Sequence, residues 1–422
     1  MTEQPTISIP LDIPDVRVLR TQVLSPQLVL IEVESTLTST TCRRCGRTIS
    51  DFHGYDRPIQ LRHLPILGAA VSLRLRPKRF RCPYCDDHPT TTQRLSWYSP
   101  QALHTTAYDQ HVLMQLVNST IDDVCQKEDT TPAAVLGTIE RWIAREVEWE
   151  TVPPFAILGI DEIALKKGHR DFVVIVSARL PSACVVVLAV LPDRTKATLA
   201  SWLHVLPPQV RHQIRTICTD LWEAYISAVR EELPQARIVI DRFHVAKHYR
   251  ACADTVRKQE VKRLRKELPK AQAEQLKETM WPFRKRWEDL EPDEQARLNH
   301  LFEQAPRVQQ AYELREELTR IFETARTKAE GIEQITRWRQ KVEASGLSCF
   351  APFLKLLDAW LDLIANYFHA RQTSSFVEGL NNKLKVLKRR CYGLYNLGHL
   401  FQRITLDLEG YRRFSRWHAA HP

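Results

Sequence analysis

One acid, Glu378, stands in TSSFVEGLNNKLKVLKRR (373–390) ahead of five cations, Lys383, Lys385, Lys388, Arg389 and Arg390. Two more acids close short β-branched runs, Asp161 after FAILGI and Asp220 after IRTICT. Carboxylates at close range repel; a divalent cation relieves that repulsion and supplies a Lewis acid, and an all-oxygen donor set selects Mg²⁺ or Mn²⁺. With a third carboxylate, a site can hold two ions about 3.5–4 Å apart, able to activate a nucleophile and to stabilise the leaving oxygen of a phosphodiester. Each acid also has a plainer explanation. Asp220 can cap the helix begun by TDLWEAY, and Ser375 with Glu378 has the spacing of a capping box. Glu162 or Asp241 could replace or assist Asp161. Asp241, in IDRFH, is followed three residues later by His244, and a lone histidine is more often structural than a ligand.

The helical wheel separates the two roles of the Glu378 segment. Val377, Leu380, Leu384, Leu387 and Cys391 share one face, while Glu378, Asn382, Lys385 and Arg389 fall nearly opposite. A helix packed through the first face could hold a metal with its acid and follow phosphates with its cations.

A second metal chemistry lies near the N-terminus. Cys42 and Cys45 in TCRRCG and Cys82 and Cys85 in FRCPYC form two CxxC pairs separated by 36 residues. Each pair turns two thiolates toward one ion, and four can close a tetrahedral structural Zn²⁺ site. The interval leaves room for strands such as VSLRLRPKRF. Ten Lys or Arg against Asp51 and Asp56 between Cys42 and Cys85 suit phosphate contact, or simply a solvated basic face.

The elements that must position these groups follow from periodicity. Residues 108–147 repeat apolar positions at helical spacing, with Thr131 and Pro132 opening the last of three short helices around a turn at 128–130. That is a helix-turn-helix pattern, with a plain linking bundle as its alternative. After VPP (152–154), strands at 155–161, 172–178, 184–191, 214–220 and 236–241 alternate late with helices at 196–206 and 221–233. In this β-β-β-α-β-α-β order, three strands can form an antiparallel meander and the crossover helices make the later strands parallel. The expected fold is α/β, a ribonuclease-H-like core with the fourth strand beside the first and the acids at one carboxyl edge. From 243 to 370 the chain reads as a charged helical insertion, including the amphipathic FLKLLDAWLDLIANYF. The expected divisions are 1–100 (zinc module), 101–150 (helix-turn-helix), 151–242 (core, first part), 243–370 (insertion) and 371–422 (core, C-terminal helices).

Composition agrees with a polyanionic partner. Sixty Lys plus Arg against 50 Asp plus Glu give a formal charge of +10. Residues 245–270 carry nine cations and three acids; Arg257, Lys258, Lys262 and Arg263 are candidate backbone contacts there, with Lys383, Lys385, Lys388, Arg389 and Arg390. The longest apolar run, 172–191, is interrupted by Arg179 and Pro181 and suits two strands rather than a membrane span. No signal peptide is evident, so a reducing, cytoplasmic setting is expected, with the cysteines as ligands and buried thiols rather than disulfides.

Three stretches, GIDEIALKKGH (159–169), TDLWEAYISAVREELPQARIVIDRFHVAKH (219–248) and FVEGLNNKLKVLKRRCYGLYN (376–396), together resemble the insertion-sequence transposases of the ISL-three family. The double CxxC module and helix-turn-helix agree in order, so the resemblance spans nearly the whole chain. It implies a bacterial or archaeal enzyme of the DDE superfamily, active at the nucleoid. It also implies a triad of Asp161, Asp220 and Glu378 holding Mg²⁺, cleavage at element ends and joining to target DNA, and a homo-oligomer in the synaptic complex. DRFH looks like an accessory Asp-x-x-His element, giving Asp241 and His244 a part near the scissile strand. Ser177 and Ala178 stand where relatives often carry an auxiliary Asp, and Cys125 where a small Ala is usual. The rival readings are a DNA-binding regulator built from the zinc module and helix-turn-helix alone, and a nuclease of the same fold without strand transfer.

Overall fold

The computed structural model describes residues 9–165, 172–269, 273, 276–370, 375–391 and 396–415. The chain divides into two units, Met1–Ile143 with Leu406–Pro422, and Ala144–Thr405.

The second unit is built on a five-stranded sheet. Its strands are β1 (Ile157–Ala164), β2 (Phe172–Arg179), β3 (Val185–Leu191), β4 (Thr216–Thr219) and β5 (Arg237–Ile240), in the spatial order β3-β2-β1-β4-β5. β1, β2 and β3 pair antiparallel, whereas β4 pairs parallel to β1, and β5 parallel to β4. The expected placement of the fourth strand beside the first is therefore observed. Helices α1 (Lys196–His204), α2 (Pro208–Gln213) and α3 (Glu223–Glu232) make the crossovers, and parallel neighbours require such connections. α2 was not expected; it begins at the second proline of a Pro-Pro pair, whose fixed φ suits a first helical turn.

After β5, Asp241 caps the long helix α4 (Arg242–Glu267) by accepting from the Phe243 N–H at 2.8 Å. Helices at Pro292–Gln304, Pro306–Thr324, Lys328–Ala344 and Ala351–Ala365 follow, as the helical insertion predicted. Their apolar stripes bury Tyr312, Phe322, Trp338, Phe350 and Phe353 in a core continuous with that of the sheet.

The chain then returns to the sheet through α5 (Ser375–Arg390). Val377, Leu380, Leu384 and Leu387 are all buried, as their wheel positions require. Gly159 in β1 makes this approach possible. A Cβ there would lie 2.5 Å from Val377 Cγ2 and 2.9 Å from the Phe376 ring, so any side chain would push α5 off the strand. The last helix, α6 (Leu397–Phe414), begins in this unit and ends in the other.

In the first unit, strands Val16–Ser25, Leu28–Ser35, Ala69–Leu75 and Ile59–Ile66 form a sheet in that order. It has its own core of Ile31, Val33, Leu61, Val71, Leu73, Leu75, Leu95 and Trp97. The anticipated strand within VSLRLRPKRF is two, Ala69–Leu75 and Lys78–Arg81. Three helices, Thr106–Leu116, Ile121–Glu128 and Pro132–Trp142, follow with Thr131 as N-cap of the third and a left-handed Asp129 at the turn. Asp109 ties them together. Although buried, it is held down at about 2 by His104, Arg141 and Trp142, Arg141 donating to it at 2.9 and 2.7 Å. Val117, Leu406 and Phe414 share the apolar core of these helices.

Candidate active site

Parallel register gathers three aspartates. Ile160 pairs with Thr219, and Thr219 with Ile240, so Asp161, Asp220 and Asp241 are the next residues on three neighbouring strands. In-register positions of parallel strands project to one face of the sheet. One expectation needs correcting: Asp161 does not end its strand. β1 runs on to Ala164 against the antiparallel β2, Asp161 lying opposite Ile175; only the parallel partner stops at this level.

The electrostatics of the row are those of crowded acids. Burial raises Asp220 to about 6, with Asp161, Glu162 and Asp241 adding to the rise and His244 opposing it. Asp161 is raised by burial and by Asp241, against bonds from the Glu162 N–H and Asn381. Asp220 Oδ1 is buried without a hydrogen-bond partner, an oxygen placed to accept a cation or a proton. Tyr225, wholly buried with an unpartnered hydroxyl, has its ionisation driven up by burial and by Glu162, Asp220 and Asp161. Glu162 is drawn aside by Arg194 at 3.3 Å, whose guanidinium lies over the Trp222 ring at 4.6 Å. Asp241 acts as a helix cap, and His244 Nε2 is 4.0 Å from its Oδ2.

Glu378 is exposed in the first turn of α5. Three residues on, Asn381 donates from Nδ2 to Asp161 Oδ2. α5 thus carries Glu378 one turn from a residue that touches the aspartate row. Asn381, 8% exposed, was missed because Asn382 is the amide on the polar face. Its signal was present, since a polar residue at i, i+4, i+7 with Val377 and Leu384 sits in the buried stripe and needs a partner there. Asp161, Asp220 and Glu378 do not converge tightly. Among the described residues, only Cys42, Cys45, Cys82 and Cys85 form a group of three or more ligating side chains with all ligand atoms within 4.8 Å. The side chain of Ser375, the other half of the expected capping box, lies outside the described residues.

The carboxylates predict a metal-linked stability change. Asp220 is raised above its unfolded value, so its contribution to stability is present at acid pH and is lost as pH rises through about 6. Asp220→Asn is therefore expected to raise the metal-free melting temperature at pH 8, by an amount on the order of 1–3 kcal/mol of stability. It should also shrink the stabilisation produced by Mg²⁺ or Mn²⁺. Calorimetry with and without the cation checks this; an unchanged cation shift would remove Asp220 from the candidate ligands.

The basic candidates divide. Lys383, Lys385 and Arg389 on α5 are exposed and Arg390 is half-buried. Lys388 instead donates to the Ala164 carbonyl and pins α5 to the end of β1. Lys258, Lys262 and Arg263 on α4 are exposed, Arg263 bonded at 2.8 Å to Glu260. Arg257 does not join them: it is 7% exposed and paired with Asp254 at 2.8 Å. Its position in the α4 stripe turns it toward Phe283.

The four cysteines are assembled by two knuckles. Cys42 and Cys45 follow the strand Thr40–Thr41, with Gly46 at φ +70° completing the turn; Cys82 and Cys85 follow Lys78–Arg81. Cys82 Sγ is 3.6 Å from both Cys45 Sγ and Cys85 Sγ, close to the ~3.8 Å edge of a tetrahedron with Zn–S of about 2.3 Å. Peptide N–H groups of Cys45 and Arg44 lower the Cys42 thiol to about 6, favouring the thiolate that zinc requires. The donor set fits structural zinc.

Comparison with known proteins agrees with these features. A family profile for ISL3 DDE transposases, described as "Transposase", matches residues 158–404. A second, described as "zinc-finger of transposase IS204/IS1001/IS1096/IS1165", matches 38–85. The chain is 29% identical over 377 residues to the transposase for insertion sequence element IS1001 of Bordetella parapertussis, covering 88% of this chain and 89% of that protein. It is 26% identical over 400 residues to the transposase for IS1557 of Mycobacterium tuberculosis, covering 89% and 87%. Among the described residues, no helix is long and apolar enough to cross a membrane. With a match over more than half its length, framing the aspartate row and α5, the chain belongs to the ISL3 family of DDE transposases.

Proposed function

We propose that the protein cuts DNA at the ends of its insertion sequence and joins those ends to target DNA, using Asp161, Asp220 and Glu378 as the triad. The observation that carries this reading is the adjacent register of Asp161 and Asp220 with α5 docked on Asp161 through Asn381. The order β3-β2-β1-β4-β5, with an antiparallel meander followed by two parallel strands, supports a ribonuclease-H-like core interrupted by the helical insertion. The buried aspartates, raised by burial and by neighbouring carboxylates, and the unpartnered Asp220 oxygen fit Mg²⁺ or Mn²⁺. Bound there, the cation supplies Lewis-acid activation of water or a 3′-hydroxyl and charge relief at the leaving oxygen.

The chain's own residues do the remainder. Asn381 fixes the rotamer of Asp161, while Lys388 and the apolar stripe hold α5 against β1, with Glu378 exposed one turn before Asn381. Lys383, Lys385 and Arg389 bind backbone phosphates beyond Glu378, and Lys258, Lys262 and Arg263 extend that surface along α4. Asp241 and His244 flank the scissile strand. The three helices of 106–142 read double-stranded DNA at the element ends, and the basic zinc module adds phosphate contacts. Work on two ends requires more than one copy of the chain, acting in the cytoplasm on the nucleoid.

The test is incubation of the purified protein with end-containing DNA and Mg²⁺, followed by mapping of both nicked and joined products. Cleavage at the end boundaries together with end-to-target joining is expected. Binding without nicking would leave only a regulator, and nicking without joining only a nuclease.

A further inference from the structure

The face of α4 that leads away from the aspartate row borders a cleft of about 530 Å³, a volume in the usual range for small-ligand sites. Phe243, Lys247, Arg250, Asp254 and Lys258 line it at helical spacing, with Arg284 opposite. The electrostatic balance is strongly positive. Asp254 is already matched by Arg257, Lys258 and Arg284 at 2.8, 3.0 and 3.3 Å. Lys247 and Arg250 are exposed and carry no ion pair with any described residue. Arg315, 2% exposed in the cleft wall, spends its terminal nitrogens on the Phe283 and Lys285 carbonyls and on Glu316, leaving Nε without a partner. The cleft is therefore built for an anion larger than a single carboxylate.

Two further features narrow the ligand. Phe243 is 49% exposed, an apolar ring left in water at the cleft, and its N–H is bonded to Asp241 in the aspartate row. From Phe243 to Lys258 the helix rises about 22 Å, the length of roughly six stacked nucleotides at ~3.4 Å each. Free cations along a track with an aromatic platform at one end suit a single strand, whose bases are open to stacking. A duplex would present its backbone but no base face.

We propose that this cleft seats an unpaired DNA strand as it leaves the aspartate row, with Phe243 stacking on a base and Lys247 and Arg250 holding successive phosphates. The inference rests on the proposed strand-cutting function for where the strand comes from, but its ligand class can be measured without cleavage.

The experiment is fluorescence anisotropy with the full chain and three labelled probes: an oligothymidylate of about eight nucleotides, an abasic oligomer of equal length, and a hairpin duplex. Phe243→Ala is expected to weaken oligothymidylate binding about tenfold and leave the abasic oligomer unchanged. Phe243→Leu, which keeps the apolar bulk, should behave like Phe243→Ala. Arg250→Glu should weaken both single strands. An unchanged affinity for oligothymidylate in both Phe243 variants overturns the proposal, as does a loss of equal size on all three probes. Glu378→Gln provides the separating arm through cleavage only: if it still cleaved DNA the triad would fall, while the cleft stands or falls on the anisotropy of the Phe243 and Arg250 variants.

Discussion

Glu378→Gln is expected to abolish strand cleavage, by about 10³-fold or more, while leaving binding to element ends intact. The substitution keeps size and hydrogen-bonding capacity but removes the charge, and losing one carboxylate from a cation-holding triad forfeits several kcal/mol of transition-state stabilisation. Because Glu378 is exposed and α5 is fixed by Val377, Leu380, Leu384 and Leu387 beneath it, the helix should remain docked. A gel assay of nicking beside a binding isotherm on the same DNA separates the roles. If binding and thermal stability were lost together with cleavage, Glu378 would be a helix-capping residue and the triad would need another third member.

Removal of zinc should have the largest structural effect. The interior of the ribbon consists of Cys42, Ile49, Phe80 and Cys82 with Cys85 against them, far too little apolar surface to hold short strands without a metal. Zinc binding at such sites is worth roughly 10–16 kcal/mol in isolated fingers, and that energy is largely folding energy. Cys82→Ser, or a strong chelator, is expected to open amide exchange through Thr40–Ile49 and Lys78–Thr92. The separate sheet around Val71 and Leu73, which has its own core, should stay protected. Hydrogen exchange followed by mass spectrometry, with metal content measured in parallel, checks this. Retained protection in a zinc-free ribbon would make the cysteines mere core residues.

Much of the catalytic unit was legible in residue order because its elements are locally consistent. Runs such as FVVIVSA and CVVVLAVL are too short and too β-branched for helices, and crossover chirality leaves few ways to place the fourth strand. The same local logic failed where a side chain's partner comes from far along the chain. Arg257 looks like one more cation in a basic helix until Asp254 and Phe283 are seen to enclose it. Lys388 looks like a phosphate contact, although a strand end more than two hundred residues earlier takes its ammonium group. Polarity alone does not distinguish Asn381 from Asn382; the stripe position does, because it buries Asn381 beside Asp161. Of the four-stranded N-terminal sheet only the strand within VSLRLRPKRF is legible, since two of its strands are threaded between the two halves of the zinc site.

The division of α6 has a consequence for synthesis. Leu406 and Phe414 pack with Val112, Leu116 and Ile139, and Asp407 accepts from the Asn118 N–H at 3.1 Å. Val112, Leu116 and Ile139 thus wait for residues made much later on the ribosome before their apolar interior is closed. A polypeptide halted anywhere before α6 would expose the apolar side of the three-helix segment and invite proteolysis or aggregation.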